Sequence, residues 1–338
     1  MSDRERRRAE FLAGAGWGQA GLAALPGDAS ARRYFRLADQ GRRAMLMDAP
    51  PPEDVARFVR IARLLHRLDY SAPLILAADA AAGFLVLEDL GDQTYTRLID
   101  SGGDEEALYG LATDLLADLH ERFNPGAAHG VPPYSDEILL EEAGRFLLWF
   151  LPAATGAAVP DSVAAEYVAL WRQVLPLARA VPDSLVLRDY HIDNLMLLDG
   201  RQGVQACGLL DFQDAVIGPI AYDLVSLIED ARRDVSAPVR AAMCDRYAAR
   251  RPEIDRAALD RALAVLGAQR HAKVIGLFCR LCTRDGKPGY LRHLPRLWRL
   301  LEKSLAHPAL AELEGWMARH VPAALRRIPA ALSGSRPA

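Results

Sequence analysis

The chain has 338 residues, 51% of them apolar and 25% charged, with a formal net charge of −3. That length suits one large or two medium domains. The charge gives no footing for a general nucleic-acid binder. No apolar run approaches the ~18 residues that a membrane span needs, so a cytoplasmic chain with no nucleic-acid or membrane partner is expected.

The N-terminal "RERRR" is not followed by the apolar stretch of a secretory leader. It reads as the solvated start of a short helix, with residues 4–24 as helix and loop. Gly27 to Ser30 signal a turn. "RYFRL" and "RAMLMDA" alternate like strands and are joined by a Gly-bearing turn, so a hairpin is expected there. "EDVARFVRIARLLHRLD" follows, with Val55, Phe58, Val59, Ile61, Ala62 and Leu65 at helical spacing. Two further strands, "APLILAAD" and "GFLVLEDLG", complete a β-rich N-terminal lobe over residues 1–91. The remainder, 92–338, reads as a helical lobe, with helices near 104–122, 135–150, 161–180, 219–232, 237–250, 255–282 and 292–304. The tail "SGSRPA" is expected to be disordered. "FCRLC" places Cys279 and Cys282 in a buried helical pattern, where packed thiols are expected rather than a metal or redox pair.

One stretch breaks the helical run. "LVLRDYHIDNLMLLDG", residues 185–200, sets Asp189, His191, Asp193 and Asn194 between apolar strands, and "GLLDFQDAVIGP" ends another apolar run in Asp211. These residues match what phosphoryl transfer demands. A hard cation such as Mg²⁺ prefers oxygen ligands, and a carboxylate must orient or deprotonate the incoming hydroxyl. Asp189 and Asn194 stand in the order D-x-x-x-x-N, with Asp211 opening D-F-Q after the next strand pair. That is the logic of a kinase catalytic loop and metal-binding segment. Only residues 212–218 separate Asp211 from the next helix, so no long activation loop is present and a small-molecule acceptor is expected.

"LRDYHIDNLML" and "LLDFQDAVIGPIAYDL" resemble the aminoglycoside phosphotransferase and choline kinase family, whose loop is usually written H-G-D-x-H-x-x-N. The resemblance covers roughly residues 22 to 310. It implies an α+β, protein-kinase-like bilobal fold, with Asp189 as catalytic base and Asn194 and Asp211 as Mg²⁺ ligands. His191 matches the family's second histidine and Asp223 the Asp of the trailing helix, and both are expected to brace the loop. The family's first histidine is replaced by Leu187, so that contact must be made otherwise. "GDASARRYFRL", "MDAPPPE", "LEDLGDQTY" and "LIEDARRDV" are further similar to bacterial anomeric kinases of N-acetylmuramate and N-acetylglucosamine, which serve cell-wall recycling. ATP and a small amino sugar are the partners this implies, with no obligate protein partner.

The pattern departs from kinases in one respect. The strand lysine that holds the nucleotide phosphates falls on Met47, and the first 272 residues contain no lysine. Glu53 sits too early in its helix to stand out as a partner. Arginine is always charged and can bind phosphate bidentately. Ser30, Arg32, Arg33 and Arg36 are therefore the expected phosphate contacts, with Arg33 or Arg36 as the substitute, and Glu88 to Leu90 are expected to take the adenine. Arg188, His191, Asp214, Glu229 and Arg232 are candidates for the acceptor, an Arg being suited to a lactyl carboxylate. Few acidic residues cluster for a polycation, which disfavours an aminoglycoside. A same-fold kinase for choline, homoserine or an antibiotic remains open, as does a nucleotide-binding pseudokinase.

Overall fold

The computed structural model describes residues 2–27 and 31–333. Ser30 and the tail beyond Ser333 lie outside the described residues. In chain order the elements are α1 (Asp3–Gly14), β1 (Gly21–Ala24), β2 (Arg33–Asp39), β3 (Arg42–Asp48), α2 (Val55–Arg67), β4 (Ile75–Asp79), β5 (Phe84–Leu87), α3 (Tyr95–Asp100) and α4 (Glu105–Arg122). Then come α5 (Asp136–Arg145), a π turn (Phe146–Phe150), α6 (Leu151–Thr155), α7 (Asp161–Val174), β6 (Asp183–Val186), β7 (Leu195–Leu197), β8 (Cys207–Leu209) and β9 (Val216–Pro219). The chain closes with α8 (Ala221–Ile228), α9 (Ala237–Arg250), α10 (Arg256–Thr283), α11 (Leu294–Leu305) and α12 (Ala311–His320). Two compact units form, Met1–Leu115 with Ile192–Ala215, and Leu116–His191 with Val216–Ala338.

The first unit is built on an antiparallel sheet in the order β1-β2-β3-β5-β4. The β2–β3 hairpin turns at Gln40 and Gly41, whose φ angles of 46° and 84° suit a two-residue turn that needs both positive. β1 was not expected: all four of its residues are exposed, so this edge strand carries no apolar alternation to read. Leu12, Trp17, Leu37, Leu46 and Val86 form the core under α1. The basic start of α1 is only partly solvated. Arg4 lies 3.8 Å above the Phe84 ring and, with Arg33, pairs with the fully buried Asp48 at 2.7 and 3.1 Å. Arg4 and Arg8 stand four apart and so face the sheet together. α2 begins on its cap, Asp54, which accepts from the Ala56 N–H. β7 and β8 pair in this unit.

In the second unit β6 pairs with β9. The strands flanking the polar cluster are therefore not hairpin partners. The eight residues between them include Arg188 at φ 71° and a 3₁₀ turn, too long and irregular for a tight hairpin. β9 takes Pro219, where the sequence pattern started the helix, together with three residues read as connection. The expected helix over 161–180 ends at Val174, where Pro176 turns the chain into 3₁₀ geometry. α12 was not expected.

α10 is the axis of this unit. Residues on all of its faces are buried, from Ala258 to Cys282, as befits a core helix. Gly276 permits the closest approach: a Cβ there would stand 2.3 Å from the Arg145 carbonyl carbon. Cys279 and Cys282 are buried, free thiols. Burial pushes the Cys279 thiol up to about 12, which leaves it protonated and inert. No described helix is long and apolar enough to cross a membrane.

Candidate active site

In the second unit, Asp189 is exposed on the loop after β6 and follows Arg188, whose φ of 71° is costly for a residue with a side chain. The neighbouring backbone explains how that conformation persists. Asp223, in the first turn of α8 and fully buried, accepts the Leu187 N–H at 2.5 Å and the Arg188 N–H at 2.9 Å. Ser226, one turn on, donates to the Arg188 carbonyl at 3.3 Å. Burial is the largest influence on Asp223 and raises it to about 7, against the two N–H donors.

The Arg188 side chain is anchored as well. Its guanidinium pairs with Glu142, 2% exposed, and lies 5.3 Å from the Tyr134 ring centroid. Glu142 also takes Lys273 at 2.9 Å and the Tyr134 hydroxyl at 2.5 Å. Burial alone would raise the Glu142 carboxyl, but Lys273 and Arg188 overcome this and hold it at about 2. So Arg188, a candidate for the acceptor, is committed to an internal anchor. His191 is buried in the same loop. Glu229 is committed too, since its two oxygens take Lys303 at 2.5 Å and His271 at 2.7 Å. Sequence reasoning missed Glu142 and Lys273, because nothing local marks residues that meet from α5 and α10.

In the first unit, Asn194 accepts the Leu210 N–H through its backbone carbonyl at 2.9 Å. That bond ties the segment before β7 to the one ending in Asp211. Asp193 accepts from Thr96 Oγ1 at 2.5 Å. Asp211 has a φ of 56° and accepts from Gln213 Nε2 at 2.9 Å. The next residue, Phe212, is buried with its ring 4.9 Å from that of Phe58 on α2.

The cation beside Asp211 is Arg32, 3.2 Å from Oδ1, and its Nε stands 3.5 Å from Glu53. The strand register accounts for this placement. Tyr34 pairs directly with Met47 and donates to its sulfur at 3.4 Å. Arg32 lies two residues before Tyr34, and alternate residues share a face. Its guanidinium therefore serves the face on which a strand lysine at position 47 would project. Arg33 is opposite Asp48 and paired with it, and its side chain is 56% exposed. Arg36 pairs with Asp89 at 2.8 Å and Asp92 at 2.9 Å, pinning the segment after β5. Asp214 stands 3.7 Å from Arg57. Glu88 pairs with Arg201 at 2.7 Å and takes the Leu74 N–H at 3.2 Å. Leu90 follows outside regular structure, with no backbone hydrogen bond among the described residues.

Among the described residues no group of three or more His, Cys, Asp or Glu assembles to hold a metal. Mg²⁺ does not require one, since it binds through one or two carboxylates with waters and substrate phosphates. Asn194 and Asp211 each offer an oxygen donor, which suits that ion, and the Arg32 guanidinium shows that the Asp211 carboxylate takes a positive partner.

The phosphotransferase enzyme family matches residues 21–261. A relative from Caulobacter vibrioides, an N-acetylmuramate/N-acetylglucosamine kinase, is 39% identical over 96% of this chain and 99% of its own. One of the same name from Pseudomonas aeruginosa is 38% identical over 90% of each chain. The fold is similar to that of the aminoglycoside 2′-phosphotransferase-IIIa GDP complex, with a TM-score of 0.61 at 17% identity over 90% of this chain and 99% of that one. It is also similar to a Plasmodium vivax ethanolamine kinase, with a TM-score of 0.60 at 13% identity over 87% and 84% of the two chains. The chain belongs to the phosphotransferase enzyme family and is a phosphotransferase of the kinase-like α+β fold.

Proposed function

We propose that the protein transfers the γ-phosphoryl group of ATP to the anomeric hydroxyl of N-acetylmuramate and N-acetylglucosamine, giving sugar 1-phosphates for cell-wall recycling. The observation that carries the acceptor class is the shared name of relatives 36–39% identical over 82–96% of this chain.

Asp189 accepts or orients the proton of the sugar hydroxyl. The Asp223 carboxylate and the Arg188–Glu142–Lys273 network hold its loop in one conformation, so little reorganisation is left for the reaction. An anomeric hydroxyl is more acidic than an ordinary alcohol, so positioning matters more than base strength. Asn194 and Asp211 are the residues that would hold Mg²⁺. Bound there, the ion supplies charge neutralisation for the transferring phosphoryl group. Arg32 serves the phosphates in place of the strand lysine, with Glu53 as its ion-pair partner. Glu88 to Leu90 take the adenine through backbone groups.

The test is ADP release with a panel of acceptors: the two amino sugars, choline, homoserine and an aminoglycoside. Turnover confined to the amino sugars is expected. Faster turnover with any of the other three would replace the acceptor class.

A further inference from the structure

Asp223 and Ser226 stand three apart on α8 and both hold the catalytic loop, so one face of this helix is turned to it. Asp230 lies two residues beyond the end of α8. It is 2% exposed. Its Oδ1 accepts the Arg232 N–H at 2.7 Å, while Oδ2 is buried with no hydrogen-bond partner among the described residues. A buried carboxylate oxygen without a donor is costly, and a ligand hydroxyl or amide N–H would relieve it.

The groups around Asp230 point to a second missing partner. His293 is 8% exposed. Arg292 Nε stands 3.2 Å from its Nε2, and Arg296 Nη1 stands 3.2 Å from its Nδ1. A neutral imidazole has one acceptor nitrogen, because the other carries the hydrogen. Two guanidiniums thus compete for one acceptor, and one N–H is turned towards another donor. Burial, then Arg292, Arg296 and Arg232, push His293 down to about 4, against the opposing pull of Asp230, so the ring is neutral at pH 7. Arg232 lies 5.8 Å from the Tyr290 ring, which packs against Phe278 at 5.2 Å, and Phe278 in turn meets His293 at 5.9 Å. Guanidiniums converging on a neutral ring beside an aromatic wall describe a site for a planar anion, which arginine matches bidentately.

We infer that this corner reads the acid of the acceptor. Asp230 Oδ2 takes a hydroxyl or amide N–H of the amino sugar. Arg232 and Arg292 take the carboxylate that N-acetylmuramate carries and N-acetylglucosamine lacks, while Arg296 is held by Asp234 at 2.9 Å. The assignment rests on the amino-sugar reading above.

The test compares kcat/KM for the two sugars in Arg292→Met and Arg232→Met, with thermal melts to confirm folding. Arg292 is exposed and its loss leaves the core intact. The ratio of acidic to neutral sugar is expected to fall about tenfold or more in each, the size of a lost charge-assisted hydrogen bond. An unchanged ratio, with both sugars still phosphorylated, overturns the subsite and leaves the kinase reading standing. Calorimetric titration of Asp189→Asn with each sugar gives a readout independent of turnover. Preferential binding of N-acetylmuramate that Arg292→Met abolishes supports the subsite even if wild-type turnover of both sugars fails, which would overturn only the function. Equal binding of the two sugars, or of neither, overturns the subsite. So does inorganic phosphate displacing N-acetylmuramate at equal concentration, which marks a general anion site.

Discussion

Two short segments are proposed to carry the chemistry, and both contain a residue with positive φ: Arg188 at 71° before Asp189, and Asp211 at 56°. They are held by opposite means. The Asp189 loop is gripped from within by buried carboxylates, Asp223 on its backbone and Glu142 on its side chain, while Asp189 itself is exposed. The Asp211 segment is held by the Asn194 carbonyl on the Leu210 N–H and by Phe212 on Phe58, and its carboxylate stands beside Arg32, which is itself shared with Glu53. A general base needs a fixed direction, and buried hydrogen bonds provide it. A metal ligand needs a charge partner that can be exchanged, and an ion pair at a part-exposed carboxylate is weak enough to give way.

The difference can be broken first at Asp189. Asp189→Asn keeps the loop's grip but removes the base, so kcat should fall by ~10²–10⁴ with little change in melting temperature. Near-normal turnover would remove Asp189 from the chemistry. On the other side, Arg32→Ala should raise the KM for ATP about tenfold or more, as expected for a lost charged contact. Arg33→Ala and Arg36→Ala should raise it less, because Asp48 and the Asp89–Asp92 segment occupy them. Steady-state kinetics in ATP would show this, and a larger effect at Arg33 or Arg36 would reassign the phosphate contact.

A smaller effect tests the rigid scaffold alone. Gly276→Ala forces a methyl group against the Arg145 carbonyl, and overpacking of this kind costs about 1–3 kcal/mol, readable by denaturant unfolding. An unchanged midpoint would mean that α10 shifts freely. The mildest perturbation is acid. Lys273 and Arg188 hold Glu142 at about 2, despite burial, below its ordinary 4.5. Glu229 is likewise at about 2, where the His271 hydrogen bond and the Lys303 ammonium overcome burial. A folded value below the unfolded one means that the stability these groups contribute is complete above pH 4.5 and is lost as pH falls towards 2. Melting temperature measured through that window should decline, and Glu142→Gln should flatten the decline.

How legible these segments were follows from how local their signals are. Asp189, Asn194 and Asp211 stand in a spacing that implies their order along a loop and a strand end, and the strand pattern around them was readable. The β2–β3 hairpin was legible because Gly41 and the alternation of "RYFRL" act over a few residues. What holds the segments was not. Glu142 and Lys273 are 131 positions apart and meet only because α5 packs on α10. Arg32 looked no different from Arg33 and Arg36 in the sequence; its proposed role rests on the register that pairs Tyr34 with Met47. β1 and β9 escaped because one is fully exposed and the other is four residues long.

The central claim is transfer to the anomeric hydroxyl, and ³¹P NMR of the product tests it most directly. With ATP, Mg²⁺ and N-acetylmuramate, a new monoester resonance should appear that mild acid hydrolyses, with loss of the sugar's reducing end. An acid-stable monoester that keeps its reducing end would contradict it.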